Sequence, residues 1–147
     1  MTQVFKNELS FEKYFIESIT KFLYSRGLIF YLMKNTTSNN GNLGVFDITL
    51  ILAPSVCCNF EIKMLKPKRI QGYLKNYETY KDKNYRVFKQ SSNILNFKNS
   101  FYVTYSEGVY SFIREDFIKS STDLIEAFID TMFSFVPKDE ILNGYIK

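Results

Sequence analysis

The stretch from Val45 to Met64 constrains the fold more than any other, because it reads as two strands hinged at Pro54–Ser55. Val45–Ala53 and Val56–Met64 are dominated by apolar and β-branched residues, and so short a joint between them makes an antiparallel hairpin. Side chains alternate across a strand. Phe46, Ile48, Leu50 and Leu52 therefore share one face, and Asp47, Thr49 and Ile51 the other. On the second strand Cys58, Phe60, Ile62 and Met64 oppose Asn59, Glu61 and Lys63. Asp47 and Glu61 each lie seven positions from Pro54, so the hairpin sets them across from each other to within a register step.

Two carboxylates meeting on one sheet face repel unless a proton or a cation lies between them. A divalent ion resolves the conflict, and Mg²⁺ suits it because it takes oxygen ligands and keeps waters of its own. Such a water can attack a phosphodiester while the ion polarises it, and Lys63, two residues along the same face, can orient the water and stabilise developing charge. The plainer alternative is a cross-strand charge cluster on a solvated face. Cys57 and Cys58 read as small strand residues without a chemical role.

Around the hairpin, Asn7 or Ser10 can cap a helix running to about Arg26, with Phe11, Phe15, Ile19, Phe22 and Leu23 on one face and Gly27 as its stop. On that helix Glu12 falls beside the apolar face and can reach a metal, whereas Glu17 falls nearly opposite; the alternative for Glu12 is an ordinary flanking charge. Leu28–Met33 reads as a strand and Asn35–Gly44 as a polar loop. Short helices are expected over Ile70–Tyr80, after Pro67, and over Phe88–Phe97. Phe101–Tyr105 and Val109–Ile113 read as strands around a Ser106–Gly108 turn, and Thr122–Phe135 as a last helix. Its pairs Leu124–Ile125, Phe128–Ile129 and Met132–Phe133 make a stripe wide enough for the core and a homodimer partner. The order is α-β-β-β-α-β-β-α, an α/β fold in one domain over residues 1–147, with no internal repeat or linker.

Composition narrows the chemistry. There is no histidine and there are two adjacent cysteines, which excludes histidine-based catalysis, a disulfide framework and structural zinc. With no expected membrane span or signal peptide, the pattern implies an intracellular, cytoplasmic protein. Net charge is +4, but Lys66–Lys98 holds nine basic residues against Glu78 and Asp82. This +7 segment, interleaved with Tyr73, Tyr77, Tyr80 and Tyr85 and flanked by Tyr102, suits a nucleic acid whose phosphates meet cations while tyrosines meet sugars or bases. Its cations include Lys66, Lys68, Arg69, Lys75, Arg86 and Lys89. The alternative is a solvated basic face over packed tyrosines.

These residues together resemble the PD-(D/E)XK nucleases, and among them the archaeal-type Holliday junction resolvases. The likeness covers most of the chain. It runs through Glu12, Gly27, the Lys34–Ser38 loop, Asp47–Ile48 and Glu61–Ile62–Lys63. Beyond them Tyr85, Gln90, Ile94, Leu95 and Phe97 resemble that family's glutamine-bearing helix, and Gly108–Ile113 its closing hairpin. The resemblance implies a restriction-endonuclease-like mixed β-sheet core flanked by helices. It implies metal ligation by Glu12, Asp47 and Glu61 with Mg²⁺, for which Mn²⁺ can substitute. Lys63 would be catalytic, Ser38 would lie near the scissile phosphate, and Lys34 and Gln90 would join the DNA-binding residues. The implied substrate is a four-way DNA junction, and the implied assembly a homodimer. Phe46 stands where the family has proline, the first helix is about one turn longer, and 66–84 reads as a basic insertion. A nuclease of duplexes or ends, as in restriction or repair, and a binding protein without turnover are the alternatives.

Overall fold

The computed structural model describes residues 4–35, 46–52 and 56–135. Helix α1 (Glu8–Ser25) opens on a capping box, in which Asn7 Oδ1 accepts from the Ser10 N–H and Ser10 Oγ accepts from the Asn7 N–H. It stops where Gly27 turns to φ +70°, with the Leu28 N–H returning to Leu23 and the Gly27 N–H to Tyr24. Both signals were local, and both ends fall close to the expected positions.

Six strands then form one mixed sheet in sequential order: β1 (Phe30–Lys34), β2 (Ile48–Leu52), β3 (Val56–Lys63), β4 (Ser100–Ser106), β5 (Val109–Arg114) and β6 (Phe117–Ser121). Neighbours run antiparallel except β3 and β4, which are parallel. A parallel pair needs a long crossover, and the basic segment supplies it as α2 (Pro67–Lys75), a 3₁₀ turn (Tyr77–Thr79), α3 (Tyr80–Lys83) and α4 (Tyr85–Asn96). Asn84 caps α4 by accepting from the Val87 N–H. Helix α5 (Leu124–Phe135) ends the described chain.

The sheet is covered on both faces, so it separates two apolar cores. On one face Phe11, Phe15 and Ile19 of α1 and Phe128 of α5 pack on Ile48, Leu50, Phe60 and Phe112. Phe60 lies at its centre, in ring contact with Phe15, Phe101, Phe112 and Phe128. Complete burial of such a side chain contributes roughly 1.5–3 kcal/mol. On the other face Ile70, Tyr73 and Leu74 of α2 and Val87 and Ile94 of α4 pack on Tyr102 and Ile113. Arg114 ties this second layer to the sheet by donating to the carbonyls of Ile94, Phe97 and Ser100.

Three expectations change here. Phe46, expected to share a face with Ile48, Leu50 and Leu52, precedes β2 and packs instead in the second core, against Phe97. Strand β6 was not foreseen; Phe117–Ser121 has little alternation, and its strand state comes from pairing with β5 across a Glu115–Asp116 turn in which Asp116 takes φ +58°. The stripe on α5 is taken up largely by the chain's own core: Leu124, Phe128 and Met132 are buried, Ile125 and Ile129 pack beside them, and Phe133 stays exposed. Among the described residues no helix is long and apolar enough to cross a membrane.

Candidate active site

The hairpin register pairs Ile48 with Phe60, and one rung further, just before β2 begins, Asp47 meets Glu61. Asp47 Oδ2 accepts the Ile62 backbone N–H at 2.8 Å, which anchors the aspartate to the strand that carries the glutamate. The two carboxyl groups lie close enough to act on each other electrostatically. The expected opposition of Asp47 and Glu61 is therefore realised, with Lys63 two residues along the same strand face.

The structure adds burial. Glu61 is only 3% exposed, because α4 roofs it and β4 runs alongside. Gln90 Nε2 donates to Glu61 Oε2 at 3.2 Å. Gln90 Oε1 is buried without a hydrogen-bond partner. Beside Glu61 in the parallel register stands Tyr102, wholly buried, its hydroxyl 2.8 Å from Ser91 Oγ. Burial first, and then the hydrogen bond and charge of Asp47, push the Glu61 carboxyl well above the usual carboxylate range; Lys63 and Arg86 pull the other way. A nearly dry glutamate held against an aspartate is a site of unresolved charge, which a proton or a hard cation can settle.

One row along the same face, a polar chain crosses three strands. Asn35 Nδ2 donates to Thr49 Oγ1, Thr49 Oγ1 to Asn59 Oδ1, and Asn59 Nδ2 to Ser100 Oγ. Asn35 also donates through its side chain to the Phe46 carbonyl and through its backbone to the Asp47 carbonyl. It thus holds the segment that carries Asp47. Strand alternation had marked Thr49 and Asn59 as co-facial with the carboxylates, but the roles of Asn35, Ser91 and Tyr102 depend on partners remote in sequence.

Other expected residues fall in different places. Glu12 is partly buried on the α1 side of the sheet, and its Oε1 lies 2.9 Å from Lys34 Nζ. Asp47 and Glu61 meet on the opposite face, so Glu12 could join them only past the strand ends. Glu17 is exposed on α1. Among the described residues, no three His, Cys, Asp or Glu side chains gather closely enough to hold a metal ion. Ser38 lies outside the described residues with the rest of 36–45, as does the Pro54–Ser55 turn.

In the basic segment Lys66, Lys68, Arg69, Lys75 and Arg86 are exposed, and Lys89 is partly so. The tyrosines divide. Tyr73 and Tyr102 belong to the second core and cannot meet a ligand, which corrects their expected surface role; Tyr80 packs against Tyr73, Tyr77 stacks on Phe88, and Tyr85 is half exposed. Cys58 is buried 3.9 Å from the Met132 sulfur, and burial pushes its thiol up to about 12, consistent with a packing role. In comparison with known proteins, no family model, curated protein or solved structure matches the chain.

Proposed function

We propose that this protein is a Mg²⁺-dependent DNA endonuclease of the PD-(D/E)XK class, acting as a structure-selective resolvase of four-way junctions. The observation that carries the reading is the buried Glu61 in contact with Asp47, co-facial with Lys63 and roofed by a helix of the basic segment. The order of one helix, three antiparallel strands, a helical crossover and a parallel fourth strand supports a restriction-endonuclease-like core, to which β6 is an addition.

The donors suit a hard divalent cation: two carboxylates in contact, and the Gln90 Oε1 acceptor buried beside them without a partner. An ion held there by Asp47 and Glu61 would supply Lewis acidity, making a water more nucleophilic and polarising the phosphate. Asp47 and Glu61 supply the negative charge that holds it. Lys63 orients the attacking water and stabilises charge on the phosphorane. One P–O bond forms from water and one ester P–O bond breaks, the proton that the water loses passing on balance to the departing oxygen. Glu12 could complete the ligand set only by leaving Lys34.

The test is cleavage of labelled four-way junction, duplex and single strand, with and without Mg²⁺, across a salt series. The junction should be bound and cut in strong preference to duplex of the same sequence, while affinity for every DNA falls steeply with salt. Equal cleavage of junction and duplex would leave a nuclease of duplexes or ends; junction binding with no cleavage in Mg²⁺ or Mn²⁺ would leave a binding protein. Paired nicks need two sites, so a homodimer is part of the proposal. Because α5 is used mainly for the core, its partner surface must lie largely elsewhere. A monomer by light scattering at working concentration would defeat the dimer.

A further inference from the structure

We infer that the cleft at the carboxyl ends of β3 and β4 is a subsite for a backbone phosphate of the bound strand, with Glu107 as the counter-charge that this phosphate displaces. The inference rests on the nucleic-acid reading above for its ligand, and on the cleft itself for its chemistry. The cleft encloses about 560 Å³ and is lined by Met64, Leu65, Lys66, Lys68, Arg69 and Ser106. It continues the candidate active site. Along the same face of the parallel pair, Glu61 lies beside Tyr102 and Lys63 beside Thr104; the next side chains on that face are Leu65 and Ser106, which line the cleft. Thr104, in the row between, is wholly buried, and its hydroxyl oxygen has no hydrogen-bond partner.

The charge of the cleft is arranged against the helix that forms it. Helix α2 starts at Pro67; Lys66 at its N-cap supplies no side-chain acceptor, and no acidic residue stands in the first turn. A helix N-terminus carries partial positive charge and favours acidic neighbours. Here it is ringed by three cations instead. Their mutual repulsion, and their repulsion by the helix dipole, are relieved by an anion in the cleft. At the cleft mouth Glu107, in the β4–β5 turn beside Ser106, approaches Lys66 Nζ at 3.8 Å, with both side chains more than 70% exposed. Such a pair is weak and readily exchanged. A phosphate can therefore take Lys66 from Glu107 at little cost, and a strand with one phosphate at the partly exposed Lys63 would bring a neighbouring phosphate to this position.

The experiment is equilibrium binding in EDTA, where cleavage is absent, of a fluorescein-labelled junction and duplex to the full chain over a range of salt. Lys68→Ala/Arg69→Ala should weaken binding to both DNAs about tenfold at low salt and reduce the slope of log affinity against log salt by about one to two. Glu107→Gln should act in the opposite direction, tightening binding about threefold, an outcome that misfolding cannot imitate. Unchanged affinity in both variants overturns the subsite, even if the parent cuts DNA in Mg²⁺. Conversely, a parent that never cuts, with both binding shifts present, overturns the nuclease and leaves the subsite. Pyrophosphate serves as the free-phosphate probe: displacement of labelled DNA only at high concentration supports a backbone subsite, whereas displacement at micromolar concentration overturns it in favour of a site for free phosphates.

Discussion

Asp47→Ala, Glu61→Ala and Lys63→Ala should each lower the single-turnover rate of junction cleavage about a thousandfold or more, with the fold and metal-free DNA binding largely kept. In the proposed mechanism the three side chains act as one unit, and units of this kind lose nearly all activity when any member goes. Their parts differ in a measurable way. Removal of Asp47 or Glu61 takes away charge that, on this proposal, would hold the cation, so the Mg²⁺ concentration needed for any residual rate should rise. Removal of Lys63 leaves the carboxylates in place, so the rate should fall with the Mg²⁺ requirement little changed. DNA affinity in EDTA should hold in all three, because the exposed cations of α2 and α4 are untouched. Turnover near the parent rate in any variant, under matched Mg²⁺, would remove that residue from the active site.

Glu61→Gln should separate activity from stability, losing cleavage while raising the thermal midpoint in metal-free buffer at neutral pH. Burial, with the hydrogen bond and charge of Asp47, raises the carboxyl of Glu61 above its ordinary value in the folded state. The folded protein thus keeps a proton that the unfolded chain releases. That contribution to stability is fully present below the ordinary glutamate pKa of about 4.3, and is lost as pH rises through the raised folded value. At neutral pH the parent must ionise Glu61 in a nearly dry site or take up a proton to avoid doing so. Glutamine is neutral at every pH and similar in shape, and its amide can donate to Asp47. The difference in midpoint, variant minus parent, should therefore grow from mildly acid to neutral pH in EDTA, and carboxylates remote from Glu61 cancel in that difference. Added Mg²⁺ should raise the parent's midpoint more than the variant's. A variant less stable than the parent at neutral pH without metal would mean that Glu61 does not carry this electrostatic strain.

Sequence alone determined what local stereochemistry governs. Alternation along two short strands put Asp47, Glu61 and Lys63 on one face, because successive residues of a strand must point to opposite sides. A capping asparagine and a glycine with positive φ bounded α1, because helix ends need acceptors and a left-handed exit. The concentration of cations in Lys66–Lys98 was likewise plain in the chain. Tertiary structure decided what depends on partners remote in sequence. Glu61 is nearly dry because Gln90 of α4 and Tyr102 of β4 close over it, and neither contact leaves a mark in the hairpin. Tyr73 and Tyr102 look identical in sequence to a solvent-exposed tyrosine such as Tyr85, yet the layer of α2 and α4 removes them from water. Phe117–Ser121 is a strand because β5 offers an unpaired edge, and α5 turns its stripe inward because the sheet beneath it lacks another cover. Glu12 pairs with Lys34 because α1 packs on the opposite face of the sheet from the Asp47–Glu61 pair. Periodicity is a property of neighbours along the chain and can be read there; desolvation and strand pairing are properties of neighbours in space, and they exist only once the layers have come together.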